Sequence, residues 1–171
     1  MASSKVTLDT RGLDRFVRNL DASILGAVVA TANAIRDEAK ALAPVDTEAL
    51  RESIHVVTAE SSDYDSAMSA ARSRFDAAKQ AGQTPKGRSL GEKSTFQGWD
   101  QEVRPSVPNE AWVVVGMQYG VYVEFGTGRM AAQPFLLPAV MRQEGEFLHR
   151  VGKAIDGATG AVVRFRTFST L

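Results

Sequence analysis

From Leu13 to Leu42 apolar side chains recur at Leu13, Phe16, Val17, Leu20, Ile24, Val28, Ile35, Ala39 and Leu42, with Thr31 continuing the stripe. Spacings of three and four follow one face of a helix with 3.6 residues per turn. The pattern therefore predicts one long amphipathic helix of roughly 45 Å. It could bend near Asp21 or at Gly26, a glycine costing about 1 kcal/mol against alanine. It must end at or before Ala43, because Pro44 has no N–H to donate and pushes its predecessor out of helical geometry.

Beyond Pro44 the period shortens. "PVDTEALRES" offers Asp46 or Thr47 as an N-cap and Glu48 near the positive end of a helix dipole, enough for one short turn with Leu50 and Ile54 facing the core. "SIHVVTAE" then alternates Ile54, Val56 and Thr58 against His55 and Val57, which predicts a strand. Upstream of the long helix, "KVTLDT" alternates Val6 and Leu8 with polar neighbours as a short edge strand would. A strand is also predicted from about Trp112 to Met117, after an edge segment where Pro105 and Pro108 cannot pair centrally and a turn at Asn109-Glu110. The aromatic and β-branched run Tyr119–Phe125 predicts another strand, closed by Gly126-Thr127-Gly128. Pro134 and Pro138 bracket a helix start, where proline is tolerated. That helix would turn Val140, Phe147, Leu148, Val151 and Ile155 inward and end near Gly157. Finally, "AVVRFRTF" alternates Val163, Phe165 and Thr167 against Arg164, Arg166 and Phe168, as a strand or strand-like arm.

Between Glu60 and about Asp100 the composition shifts to Ser, Ala, Gly, Lys and Gln. Inside this insertion Tyr64, Met68, Ala71, Phe75 and Ala78 form a narrow helical stripe, marginal unless packed on a neighbour. Phe96 and Trp99 are apolar anchors at its end. The expected fold class is α+β: a long N-terminal helix and a second C-terminal helix packed on a small, mainly antiparallel sheet of about four strands. The boundaries are a single domain over 1–171, an insertion at about 60–100 and a C-terminal arm at about 158–171.

Composition narrows the function classes. The chain has 171 residues, the size of one domain. Its 20 basic and 20 acidic residues cancel, so no net charge draws it to nucleic acid or an acidic membrane. Absence of cysteine excludes disulfides, thiolate zinc sites and cysteine nucleophiles. "MASSKVTLDTRGLDRF" lacks the apolar run of a signal peptide, and "SILGAVVATANAI" is too short and polar to span a bilayer. A soluble protein of a reducing cytoplasm is expected.

No catalytic residue is proposed by the pattern. Nucleophilic catalysis needs a Ser, Thr or Cys beside an oriented base, whereas His55 sits among valines and His149 on the polar flank of a helix. No His/Asp/Glu spacing suits a metal, and no cofactor motif occurs. Glu124 could act as a lone base, but a salt bridge to Arg129 is the simpler role. "GTGR" could cradle an anion, yet it lacks the lysine and spacing of a P-loop, and sharp chain reversal accounts for both glycines. Arg129, Met130, Gln133, Phe135, Leu136 and Leu137 make a loop dense in the residue types that enrich protein–protein contacts. Docking is the expected role of this stretch.

Two segments in order, "AKALAPVDTEALRESI" (39–54) and "YVEFGTGRMAAQPFLLPAV" (122–140), resemble the neck, or tail-completion, family of long-tailed bacteriophages. In that family a long N-terminal helix ends in Ala-Pro-x-Asp-Thr-Gly-x-Leu-x-x-Ser-Ile, and a later strand runs into Glu-x-Gly-Thr and a Pro-Phe-Leu-x-Pro-Ala helix start. Glu48 stands where the family has glycine, which suggests a more helical turn. The resemblance implies a structural virion protein of the head-to-tail joint, assembled in the host cytoplasm, with no active site, cofactor or metal. It implies a homo-oligomeric ring, hexameric or dodecameric, between head-side stopper or adaptor proteins and the tail terminator or tail tube. Genomic DNA would cross the ring without sequence-specific binding, and no membrane is involved. The expected contact residues are Glu124, Phe125, Thr127, Arg129, Met130, Gln133, Phe135 and Leu136, with Arg164, Phe165, Arg166 and Phe168 of the arm. The alternatives are a terminator capping the tail tube, a binding module outside the virion, or a small enzyme using Glu124, Thr127 and Arg129.

Overall fold

The computed structural model describes residues 11–46, 48–84, 90 and 93–160. Helix α1 (Arg11–Leu42) runs unbroken past Asp21 and Gly26 and stops one residue before Ala43. After it come α2 (Ala49–Glu52), β1 (Ile54–Thr58), α3 (Tyr64–Gln80), β2 (Ala111–Val115), α4 (Gly120–Phe125) and α5 (Leu136–Gly160). β1 and β2 pair antiparallel, in a register from Ile54 opposite Val115 to Thr58 opposite Ala111. The fold is thus α+β, but the sheet has two strands among the described residues, not about four. "KVTLDT" and the C-terminal arm lie outside the described residues, and Tyr119–Phe125 is not a strand.

That last segment is helical because its burial repeats with a helical period: Gly120, Val123 and Glu124 are buried while Val121, Tyr122 and Phe125 are exposed. β-propensity reflects packing more than backbone preference, and here the partner is the core beside Leu50, not another strand. Gly120 makes this approach possible, since a Cβ there would stand 2.5 Å from Val115 Cγ1.

β1 is buried along its whole length, with α1 and α3 packed against it. His55 is fully inside: Nδ1 lies 2.8 Å from the Ser53 carbonyl and the ring meets Tyr64 edge-on. The helix inside the insertion is not marginal, because Ala71 and Phe75 enter the same core as Ala39, Leu50 and Phe135. Phe96 completes that contact, edge-on to Phe75 and beneath the Arg72 guanidinium.

α5 lies antiparallel along α1. Arg142 and Gln143 reach Glu38 at 2.7 and 3.1 Å, and Arg150 donates to Thr31 at 3.2 Å. The inward stripe of α5 is Ala139, Gln143, Phe147, Val151, Ala154 and Ala158, at spacings of four and three. Phe147 and Val151 therefore lie on the expected side, but Val140, Leu148 and Ile155 are exposed. Ala139 and Ala158 of this stripe and Ala32 and Ala39 of α1 are buried. The helix also continues past Gly157 to Gly160.

The α1–α2 turn departs from expectation in a testable way. Its N-cap position is Glu48, whose own side chain makes no capping bond; Thr47 is outside the described residues. Glu48 has φ 63°, in the left-handed region, so the turn keeps glycine-like geometry instead of becoming more helical. Holding a non-glycine residue there costs about 1–2 kcal/mol, against which the half-exposed Glu48–Arg74 pair offsets little. Glu48→Gly is therefore expected to stabilise the fold by about 1 kcal/mol, a Tm rise of about 2–4 °C in thermal unfolding. An unchanged or lower Tm would contradict this reading of the turn.

Candidate functional site

α4, the turn after it and the start of α5 form one unit built around Glu124. Its carboxylate accepts the backbone N–H groups of Phe135, Leu136 and Leu137 at 2.8, 2.9 and 2.8 Å. Those donors have no carbonyl a turn earlier to bond within α5, and they sit at the positive end of the helix dipole. Glu124 is thus a cap supplied from another element, in place of the expected ion pair with Arg129. Burial alone would raise its pKa, but the three N–H bonds from Leu136, Phe135 and Leu137 outweigh that and hold it below the ordinary carboxylate value. A carboxylate so engaged is a poor general base.

The Gly-Thr-Gly turn is equally committed. Thr127 and Met130 exchange backbone hydrogen bonds at 2.8 and 3.2 Å, and Arg129 N donates to Thr127 Oγ1. With these amides bonded inside the turn, the nest an anion would need is not formed. Gly126 sits at φ 76°, ψ −179°, where a Cβ would stand 2.7 Å from Ala132 N and 2.8 Å from Met130 O. Its N–H bonds the Tyr122 carbonyl to end α4, and Gln133 N–H bonds the Val123 carbonyl to return the chain toward α5.

The expected contact residues divide into three groups. Phe135 is core, 1% exposed, and Met130 and Leu136 pack partly against that core. Glu124 is the cap. Phe125, Thr127, Arg129 and Gln133 are exposed, Phe125 at 74%. Arg164, Phe165, Arg166 and Phe168 lie outside the described residues.

What the structure adds is a groove of about 320 Å³ between α4 and the first turns of α5. Trp99, Val121, Phe125, Leu137 and Val140 line it, each more than two-fifths exposed. Met141 and Leu148 continue the apolar stripe along the outer face of α5. Large contiguous apolar surface on a soluble protein marks an interaction site. Of the expected contact residues, Glu124, Phe125, Phe135 and Leu136 border this groove, and Trp99, Val121 and Val140 join them from outside that set. Val121 and Val140 were assigned to a strand face and a core face. The signal that could have found Val140 is the second apolar stripe of α5, Leu137, Val140, Met141 and Leu148, which flanks the inward one.

His149 is exposed, and among the described residues no group of three or more His, Cys, Asp or Glu could hold a metal ion. Among them, too, no helix is long and apolar enough to cross a membrane. The model of one protein family, HK97-gp10_like, described as "Bacteriophage HK97-gp10, putative tail-component", matches residues 10–126. The match takes in α1 to α4, including the 60–100 segment. No curated protein and no solved structure matches the chain.

Proposed function

The chain belongs to the HK97-gp10-like family of phage tail components, and from that premise we propose a structural role at the head-to-tail joint of a long-tailed phage. Copies of the chain form a homo-oligomeric ring, hexameric or dodecameric, between the head-side stopper or adaptor and the tail. Genomic DNA crosses the ring without sequence-specific contact, consistent with the chain's balanced charge. The observation that carries this reading is the apolar groove at Trp99, Val121, Phe125, Leu137 and Val140, held on a rigid capped frame and left open in the single chain. A head-to-tail ring leaves each copy's groove facing a different surface of the next copy and closes without free ends. The description as a tail component suits a terminator capping the tail tube as well, and the same experiment separates the two.

The experiment is complementation of a phage genome lacking this gene by Val121→Asp or Phe125→Asp. Both side chains are exposed, so folding stability is expected to stay within about 0.5 kcal/mol of the unaltered chain. Filled heads and finished tails should accumulate unjoined. Tails of uncontrolled length would favour the terminator, and normal particle yield with both variants would contradict any assembly role for this surface.

A further inference from the structure

The groove and the C-terminal segment can be related by length. The groove lies at the start of α5, around Leu137, and the segment 161–171 leaves from the other end of that helix, at Gly160. The intervening helix is about 35 Å long at 1.5 Å per residue. Phe165, the fifth residue after Gly160, can move at most about 18 Å from it when fully extended. It therefore cannot enter the groove of its own chain, whereas the same groove on a neighbouring copy is not so limited.

Chemistry also matches. In an extended segment Val163 and Phe165 share one face and Arg164 and Arg166 the other. The groove offers an apolar floor, with Asp100 next to Trp99 and Glu144 one turn beyond Val140, both exposed. We propose that the groove between α4 and α5 receives residues 161–171 of a second copy of this chain, with Phe165 as the apolar anchor. This rests on the ring reading above and adds to it the surface and the segment that join one copy to the next. Recognition combines insertion of the Phe165 ring between Val121, Phe125 and Leu137 with pairing of Arg164 and Arg166 to the acidic rim. Each copy donates one arm and accepts another, which is a heterologous contact.

The absence of cysteine makes the test clean. A full-length chain carrying Phe165→Cys is mixed with one carrying Leu137→Cys and oxidised; Met141→Cys on the same stripe serves if Leu137→Cys impairs folding. Disulfide-linked heterodimer is expected about tenfold or more above a control pairing Phe165→Cys with Glu60→Cys, because docking raises the local thiol concentration. A chain carrying both Phe165→Cys and Leu137→Cys should give an intermolecular ladder. Yield equal to the control, or a doubly substituted chain that closes only on itself, overturns the proposal. Native mass spectrometry of the same samples keeps the ring reading separate. Selective cross-linking within reciprocal dimers, with no closed ring, upholds the arm contact and sinks the ring, while a ring without selective cross-linking does the reverse.

Discussion

Replacing Glu124 with alanine is expected to lower folding stability by about 3 kcal/mol, a Tm drop of about 6–12 °C for a chain of this size. The substitution removes one acceptor and strands three donors, the N–H groups of Phe135, Leu136 and Leu137. Phe135 is buried, so its amide cannot turn to water instead. Glu124→Gln keeps the shape and one acceptor oxygen but loses the charge that strengthens these bonds, and should fall between alanine and the unaltered chain. The effect also depends on pH. The folded-state pKa lies below the ordinary value of about 4.3, so the native state binds fewer protons than the unfolded chain in that window. The stabilisation is fully present above about pH 4.3 and is lost as pH falls through the folded value. Thermal unfolding of Glu124→Gln and the unaltered chain from neutral to acid pH should show their Tm values converging on the acid side. A constant difference, or one widening in acid, would show that the charge is not what the cap uses.

Gly126→Ala is expected to cost about 3–4 kcal/mol, combining a backbone region open almost only to glycine with a collision between Cβ and main-chain atoms. The contacts at 2.7 and 2.8 Å are with Ala132 N and Met130 O, which cannot rotate away as a side-chain end would. Gly128 is the internal comparison: a Cβ there meets nothing within 4 Å. Gly128→Ala should therefore cost less than Gly126→Ala in chemical denaturation. Similar losses at the two positions would mean that the turn is not as constrained as its geometry indicates.

These two residues also show where sequence reasoning reached and where it stopped. α1 was legible because a long 3.6-residue period agreed with a proline stop at one end. β1 was legible from its β-branched run, and α3 from the stripe Tyr64, Met68, Ala71, Phe75 and Ala78, whose alanines left it marginal until packed on a neighbour. α4 was not, since six residues of aromatic and β-branched type fit a strand as well as two turns of helix, and only the core beside Leu50 decides. In α5 the existence of the helix was clear from its prolines, but its face was assigned by side-chain size. Packing against α1 selected the stripe Ala139, Gln143, Phe147, Val151, Ala154 and Ala158, so Val140 and Leu148 face outward. The stretch 122–141 was singled out by composition, whereas Glu124 as a cap was out of reach, because its donors lie eleven to thirteen residues away and meet it only through the fold. The left-handed Glu48 was within reach: glycine at that place in the resembling family was itself a statement about φ.

The central claim, a structural component of the head-to-tail joint, is tested most directly by quantitative mass spectrometry of purified phage particles, comparing the copy number of this chain with those of the portal and the major tail protein. The expected result is a fixed copy number equal to the portal's or a simple fraction of it. Absence of the chain from finished, infectious particles would contradict the claim.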